Sequence, residues 1–543
     1  MSDDKSINYR LSDTLEILLT SEAGDKIARQ GNISFQPGIA RHDNVIHIRP
    51  HQVKQTLIGI GSSFTESAAF VLAQLEAKKR SQVMENVFGE QGANFSLARS
   101  PIGATDFSVE GKYSYAEIED DRELQHFSIE PDRDGFRANQ YPGIQDESFD
   151  LLPMIKQALA IKQKQADPSL KIIASAWTAP PWMKDNKDWY NPGSPENNYN
   201  GGGGMLLPEY ESTYADYLIK YLDAYRDEGV DIWGITPVNE PLGNNGQWES
   251  MHFTPESQND FIKNNLGPKL HANGYEDVSL LMLDHSRDHL EHWAEVIYND
   301  PETAKYVDGA AVHWYESTFK VYEEVFERVH SKYPQFSIIH TEGTIDDLGK
   351  DAPEGILDPE RYKDSNWFNN DDFWWNDNAT DWAYTATWAG VKAEDHPIYT
   401  PVHRYARNII VSLNHWVTGW IDWNIVLDQQ GGPNHVGNFC GAPIMVDVAS
   451  GTVYYTPIFY ILSQFSKTIR PGDLAVQTDK QLVDLDDDAI HASASISADN
   501  LLSVQVLNTS KQPVEFALQI GEQYAIASID ANALQTIRIQ IPE

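Results

Sequence analysis

The chain of 543 residues predicts an α/β protein, a (β/α)8 TIM barrel with an accessory β-sandwich domain built from both termini. Three observations lead there. Between about residue 55 and residue 430, short β-rich runs ending in polar residues alternate eight times with helical stretches. After about residue 461 the pattern changes to short runs alternating apolar and polar positions in steps of two. Residues 8 to 50 share that strand character.

Taken in order, residues 1–54 supply N-terminal strands, with Leu15–Leu19 and Val45–Ile48 as the clearest runs. Residues 55–460 form the barrel, with predicted strands Thr56–Gly61, Asn94–Arg99, Lys171–Ser175, Ile232–Val238, Ser279–Leu283, Gly309–Val312, Ser337–His340 and Thr418–Trp423. Helical periods lie between them. From Tyr210 to Glu228, Tyr214, Tyr217, Leu218, Tyr221, Leu222 and Tyr225 recur at spacings of three and four, and Gly229 marks the helix end. A doubly wound open sheet would need a Gly-rich phosphate loop after its first strand, and Gly59-Ile60-Gly61-Ser62-Ser63-Phe64 lacks the third glycine. Residues 461–543 complete the sandwich through Ile490–Ile496, Leu501–Leu507, Val514–Ile520 and Leu534–Ile541.

Composition narrows the partners. Eighty acidic against 41 basic residues, a formal net charge of -39, disfavour nucleic acid and anionic membrane surfaces, and a neutral partner such as a sugar fits better. The single cysteine, Cys440, excludes an internal disulfide, and no Cys/His spacing resembles a zinc site. No cofactor is implied. No apolar run is long enough for stable membrane insertion, and Met1–Ser6 lacks the basic and apolar regions of a leader. The expectation is a cytoplasmic protein, or a secreted or periplasmic one if a leader has been removed.

The chemistry centres on two glutamates. Glu240 follows the strand-like run Val230–Asn239 and precedes Pro241; Glu342 follows Phe336–Thr341 and precedes Gly343. Two carboxylates carried by separate strands into one pocket are the minimum for breaking a glycosidic bond, one as acid/base and the other as nucleophile or base. The Asn239 amide, beside Glu240, could donate to a sugar 2-hydroxyl. A glycine-rich loop, 185–204, and a long segment, 345–401, that carries Trp367, Trp374, Trp375, Trp382 and Trp388 would shape the rim, since aromatic faces stack on sugar C–H surfaces. A metal site on Asp284, His285, His289 and His292 is a weaker alternative, because no matching ligands occur at other strand ends.

Ordered blocks tie these features together: Ala93–Pro101, Thr105–Ser108, Ser175–Lys184, Asn239–Pro241, Phe253–Glu256, Leu281–Asp284, Ala311–Tyr315, Asp422–Asn424 and Gly431–Phe439. In them the chain resembles, over nearly its whole length, the glucosylceramidase (acid β-glucosidase) type of glycoside hydrolase family thirty. The resemblance implies a retaining enzyme with Glu240 as acid/base and Glu342 as nucleophile, flanked by Arg99 and Tyr315. It also implies that Asp106, Trp177, Trp423 and Asn438 line the bound glucose, that Asn239 meets the 2-hydroxyl, and that His313 is a pocket or supporting residue. The donor acid would have a raised pKa and the nucleophile a low one. The implied partner is a neutral β-glucoside or a glucosylceramide-like lipid. Related members are endo-β-1,6-glucanases, and a silent carbohydrate-binding protein is a further alternative. The 345–401 segment is longer than in the glucosylceramidases, which makes the aglycone the less secure part of the resemblance.

Overall fold

The computed structural model describes residue 11 and residues 13–193, 197, 203–316, 320–344 and 400–542. Eight parallel strands close into a barrel: Gly59–Ser63 (β1), Leu97–Ile102 (β2), Lys171–Ala176 (β3), Gly234–Thr236 (β4), Ser279–Ser286 (β5), Gly309–His313 (β6), Ser337–Glu342 (β7) and Val417–Asp422 (β8). Each pairs with its neighbours in sequence, and β8 returns to β1. Because both faces are covered, the strands read as continuous apolar runs such as Leu280-Leu281-Met282-Leu283. Leu97, Ile173, Leu281, Ala311, Ile339 and Ile421, one from each of six strands, fill the interior.

The outer helices bury the stripe their period predicts. Glu211–Asp227 buries Tyr214, Tyr217, Leu218, Tyr221, Leu222 and Tyr225. It stops where Gly229 takes φ +81°, so that the Val230 N–H turns back onto the Tyr225 carbonyl at 2.9 Å.

Several boundaries differ from expectation, each for a local reason. Asn94 does not open β2; it sits at φ +55°, with its amide oxygen accepting from Lys162 Nζ at 2.6 Å, and the strand starts at Leu97. Thr56 belongs to a 12-residue strand, Val45–Thr56, which continues far beyond Ile48 in the accessory sheet. The fourth strand keeps only three residues, Gly234–Thr236, whereas β7 runs on to end at Glu342 itself.

Both termini build one ten-stranded sheet. Its order is Ala28–Gln30, Glu16–Ser21, Ala533–Gln540, Leu501–Asn508, Ile490–Ile496, Leu474–Gln481, Val45–Thr56, Val514–Ile520, Gln523–Ile529 and Gln36–Pro37. Ile17, Ile46, Val504, Leu518, Ile529 and Ile537, from strands far apart in that order, share one core, so the sheet folds over on itself. The strands Leu474–Gln481 and Gln523–Ile529 were not anticipated, nor was the small sheet of Val426–Asp428, Ile444–Asp447 and Thr452–Tyr455 after β8.

Helix Pro457–Thr468 stitches the two units together. Gln464 accepts from Thr20 Oγ1 at 2.7 Å and donates to the Leu534 carbonyl at 3.1 Å, while Ser466 Oγ donates to the Asn94 carbonyl on the barrel side at 3.1 Å. Among the described residues, no helix is long and apolar enough to cross a membrane.

Candidate active site

Glu240 and Glu342 meet at the C-terminal end of the barrel. One carboxylate oxygen of each, together with a ring nitrogen of His313, lie within 4.8 Å of one another. Glu240 sits just past β4 at φ +47°, a conformation unusual for a residue with a side chain, and its N–H donates to the Asp284 carbonyl at 2.9 Å. Glu342 ends β7. Both are almost completely buried.

Two bulges aim the side chains around them. Between β5 and β6 the register steps from Leu283 opposite Ala311 to His285 opposite Val312, leaving Asp284 as the extra residue. Leu283 and Asp284 take φ +69° and +61° at that step. Between β6 and β7 the register steps from His340 opposite Val312 to Glu342 opposite His313, leaving Thr341 as the extra residue. Both extra residues turn inward: Thr341 Oγ1 donates to Asp284 Oδ1 at 2.8 Å.

Asp284 is the hub of the buried network. Its Oδ2 accepts from Arg99 Nη2 at 2.7 Å, Ser175 Oγ at 2.8 Å and Thr236 Oγ1 at 2.8 Å, and its Oδ1 lies 2.9 Å from His313 Nε2. Burial opposes its charge, but Arg99 and His313 override that and hold the carboxyl far below the usual carboxylate range. The other nitrogen of His313 lies 3.3 Å from Glu240 Oε1. Burial alone would push His313 down; the Glu342 charge and the hydrogen bonds to Asp284 and Glu240 prevail and raise it to about 9.

Arg99, fully buried on β2, reaches three groups. Nη1 bonds Glu342 Oε2, and Nη2 donates to Asn239 Oδ1 at 2.6 Å and to Asp284. Its guanidinium stands 4.7 Å from the Trp177 ring. Tyr315 donates its hydroxyl to Glu342 Oε1 at 2.9 Å. The expectation of a low nucleophile pKa is corrected: burial, aided by the Glu240 charge, pushes the Glu342 carboxyl up against the opposing pull of His313, Arg99 and the Tyr315 hydroxyl.

The remaining expected residues gather on one side. Trp177 and Trp423 stack at 5.2 Å. Asn438 Nδ2 donates to Asp106 Oδ2 at 3.2 Å. Asp106, almost wholly buried, has its carboxyl pushed well up by burial and by the Glu342 charge. Sequence reasoning missed Asn434, whose Nδ2 joins Asn438 on the same oxygen at 3.2 Å, and gave Asp284 only a metal-ligand role. The signal for Asp284 was present, since it ends an apolar strand run just as the glutamates do. The tryptophan-rich 345–399 stretch lies outside the described residues, as do 194–196 and 198–202 of the glycine-rich loop.

Glu240, His313 and Glu342 are spaced as metal ligands could be, yet His313 does not suit that task. Both ring nitrogens face carboxylates, and the raised pKa keeps them protonated, with no lone pair to offer. Asp284, His285, His289 and His292 do not converge as ligands among the described residues. His285 and His289 instead stack ring on ring at 5.6 Å, with His285 Nδ1 4.0 Å from Glu240 Oε1.

Known proteins resemble this chain over most of its length. A family model described as "Glycosyl hydrolase family 30 TIM-barrel domain" matches residues 57–383 and 383–469. The "Lysosomal acid glucosylceramidase" of Mus musculus is 31% identical over 477 residues, 87% of this chain and 79% of that protein. The "Endo-1,6-beta-D-glucanase" of Neurospora crassa is 26% identical over 464 residues, 84% of this chain and 79% of that protein. The crystal structure of SrfJ from Salmonella typhimurium superposes with a TM-score of 0.75 at 23% identity, covering 97% of this chain and 99% of that one, a likeness of fold.

Proposed function

From the premise that the chain belongs to glycosyl hydrolase family 30, and so is a glycoside hydrolase, we propose a retaining β-glycosidase that releases a terminal β-glucosyl unit by double displacement. The observation that carries the reading is the approach of Glu240 and Glu342 to within 4.8 Å. Retaining pairs stand about 5–5.5 Å apart, whereas inverting pairs need about 6.5–9.5 Å to admit a water.

In this reading Glu342 attacks the anomeric carbon while Glu240 protonates the departing oxygen. A glucosyl ester on Glu342 forms, the leaving group carries away the proton, and Glu240 then takes a proton from the water that cleaves the ester. Arg99 and the Tyr315 hydroxyl fix the two Glu342 oxygens, and with His313 they oppose the upward push of burial on its carboxyl. Because Asn239 Oδ1 is held by Arg99, its amide N–H groups are left for the sugar 2-hydroxyl. Asp106, Asn438 and the Trp177–Trp423 stack form the wall for the rest of the sugar ring.

Glucosylceramide or a related β-glucoside is the favoured substrate, on the strength of the mouse relative's 31% identity across most of both chains. Internal cutting of a β-1,6-glucan is the second reading, favoured by the Neurospora relative. Hydrolysis of a chromogenic β-glucoside by wild type, Glu240→Gln and Glu342→Gln tests the mechanism. We expect losses of at least about 10²–10⁴-fold in each variant, and full activity in either would remove that residue from it. With azide, Glu342→Gly should yield a glycosyl azide of inverted configuration. Product analysis on glucosylceramide and β-1,6-glucan separates the two substrates: glucose alone supports the first, early oligosaccharides the second.

A further inference from the structure

Behind Asp106 lies a buried acid–imidazole pair, Glu249 with His435, that the mechanism above does not use. Glu249 follows the β4 loop that starts at Glu240, and His435 lies in the loop after β8. Glu249 is fully buried, and both its oxygens are engaged. Oε2 lies 3.0 Å from His435 Nε2, and Oε1 accepts the backbone N–H of Lys112 at 2.7 Å. Tyr190, from the loop after β3, forms a backbone bridge to the same residue. Four loops of the barrel mouth thus meet at Glu249, its own and three others, two of which hold its carboxylate.

The contacts leave little slack. Gly111 and Lys112 both take left-handed φ, +68° and +55°, which turns the Lys112 N–H inward. A Cβ on Gly111 would stand 2.4 Å from the His435 ring, so the imidazole packs flat on that turn. The His435 N–H donates to the Asp106 carbonyl at 3.1 Å. Its neighbours Asn434 and Asn438 bond the Asp106 carboxyl, and Asn434 Oδ1 in turn accepts the Asn438 N–H at 3.0 Å. Burial penalises the Glu249 charge, yet His435 outweighs that and holds its carboxyl below the ordinary value.

We propose that the Glu249–His435 pair is a positioning device, locking the loop after β8 onto the loop after β2 so that Asp106 and Asn438 present fixed polar atoms to the terminal sugar. The role in sugar binding rests on the glycosidase reading given above; the locking of the loops does not. An apolar contact would hold the loops together but leave them free to slide, whereas a buried pair with every oxygen assigned sets one register.

The test is a mutant cycle with two independent readouts: kcat/KM on an aryl β-glucoside, and amide hydrogen exchange of residues 434–438 in the full-length protein. Glu249→Ala should lower kcat/KM by about 10- to 100-fold, the scale expected for displacing a positioning group. Glu249→Gln, which keeps the shape and can still bond the Lys112 N–H, should recover most of that. In an Asp106→Ala background the same Glu249→Ala change should cost less than about threefold, and exchange at 434–438 should quicken with or without Asp106. If Glu249→Ala does not fold, His435→Ala makes the same cycle. Unchanged exchange at 434–438, or a loss on glucoside as large without Asp106 as with it, overturns the proposal. A wild type that cleaves no β-glucoside but whose Glu249→Ala variant exchanges faster at 434–438 refutes the sugar assignment and upholds the lock.

Discussion

Replacing Asp284 by Asn is the sharpest probe of the buried network. The side chain keeps its shape, but five donors converge on two oxygens: Arg99, Ser175 and Thr236 on one, His313 and Thr341 on the other. Whichever way the amide turns, its NH₂ faces N–H and O–H donors, and the negative charge opposite Arg99 and His313 disappears. Removing one partner of a buried ion pair costs about 3–5 kcal/mol, so a destabilisation of that size is expected in urea denaturation.

The pH dependence gives a second reading of the same change. His313 is raised from 6.5 to about 9 in the fold, so its protonation contributes stability that is fully present below pH 6.5 and is lost as pH rises through about 9. Asp284 supplies part of that raise through both its charge and its hydrogen bond. In Asp284→Asn the alkaline loss of stability, and the alkaline limb of kcat/KM, should therefore begin at lower pH than in wild type. A variant within about 1 kcal/mol of wild type, or one whose alkaline limb does not move, would refute the account of Asp284 as the network's anchor.

Other perturbations test separate parts. Gly61→Ala would place a Cβ 1.6 Å from the Leu97 carbonyl oxygen across the β1–β2 ladder, so it should cost more than about 4 kcal/mol or leave no folded protein, read by soluble yield and denaturation. Arg99→Lys cannot reach Glu342, Asn239 and Asp284 at once with a single ammonium, and kcat/KM on a β-glucoside should fall about 10²–10³-fold. Dialysis against a chelator should leave activity within twofold, because both nitrogens of His313 are committed to carboxylates; a greater loss would restore the metal reading.

The barrel was legible because its strands are buried on both faces and read as unbroken apolar runs, and because Glu240 and Glu342 follow such runs directly. The edges were less so. Asn94 looked like strand because its neighbours are apolar, yet its short polar side chain tolerates left-handed φ and ends up holding Lys162. Strand Gln523–Ile529 alternates buried and exposed positions in Ala525-Ile526-Ala527-Ser528-Ile529, but its small alanines hide the pattern that larger residues would show. In the site, the place of Asp284 at the end of an apolar run was legible, but its role as hub was not, because that role depends on a bulge, and a register step between two strands is not written in either strand alone.

The charge count of the network explains why two carboxylates can stand so close. Arg99 and His313 bring two positive charges into a fully buried space, and Asp284, held ionised, answers one of them. Burial drives the Asp106 and Asp422 carboxyls far up, with the Glu342 charge adding to the push on each, so neither readily serves as an anion. One negative charge then remains to be placed between Glu342 and Glu240, since two carboxylates within 4.8 Å resist being ionised together. The proposed cycle needs that arrangement at both ends. The charge sits on Glu342 before attack, and once the glucosyl ester has neutralised it, the charge passes to Glu240, still facing His313 across 3.3 Å. Neutrality is thus kept before and after the first displacement with no rearrangement of the buried cations, and Asp284→Asn disturbs that balance by removing a negative charge, whereas Arg99→Lys keeps the charge and disturbs only its placement.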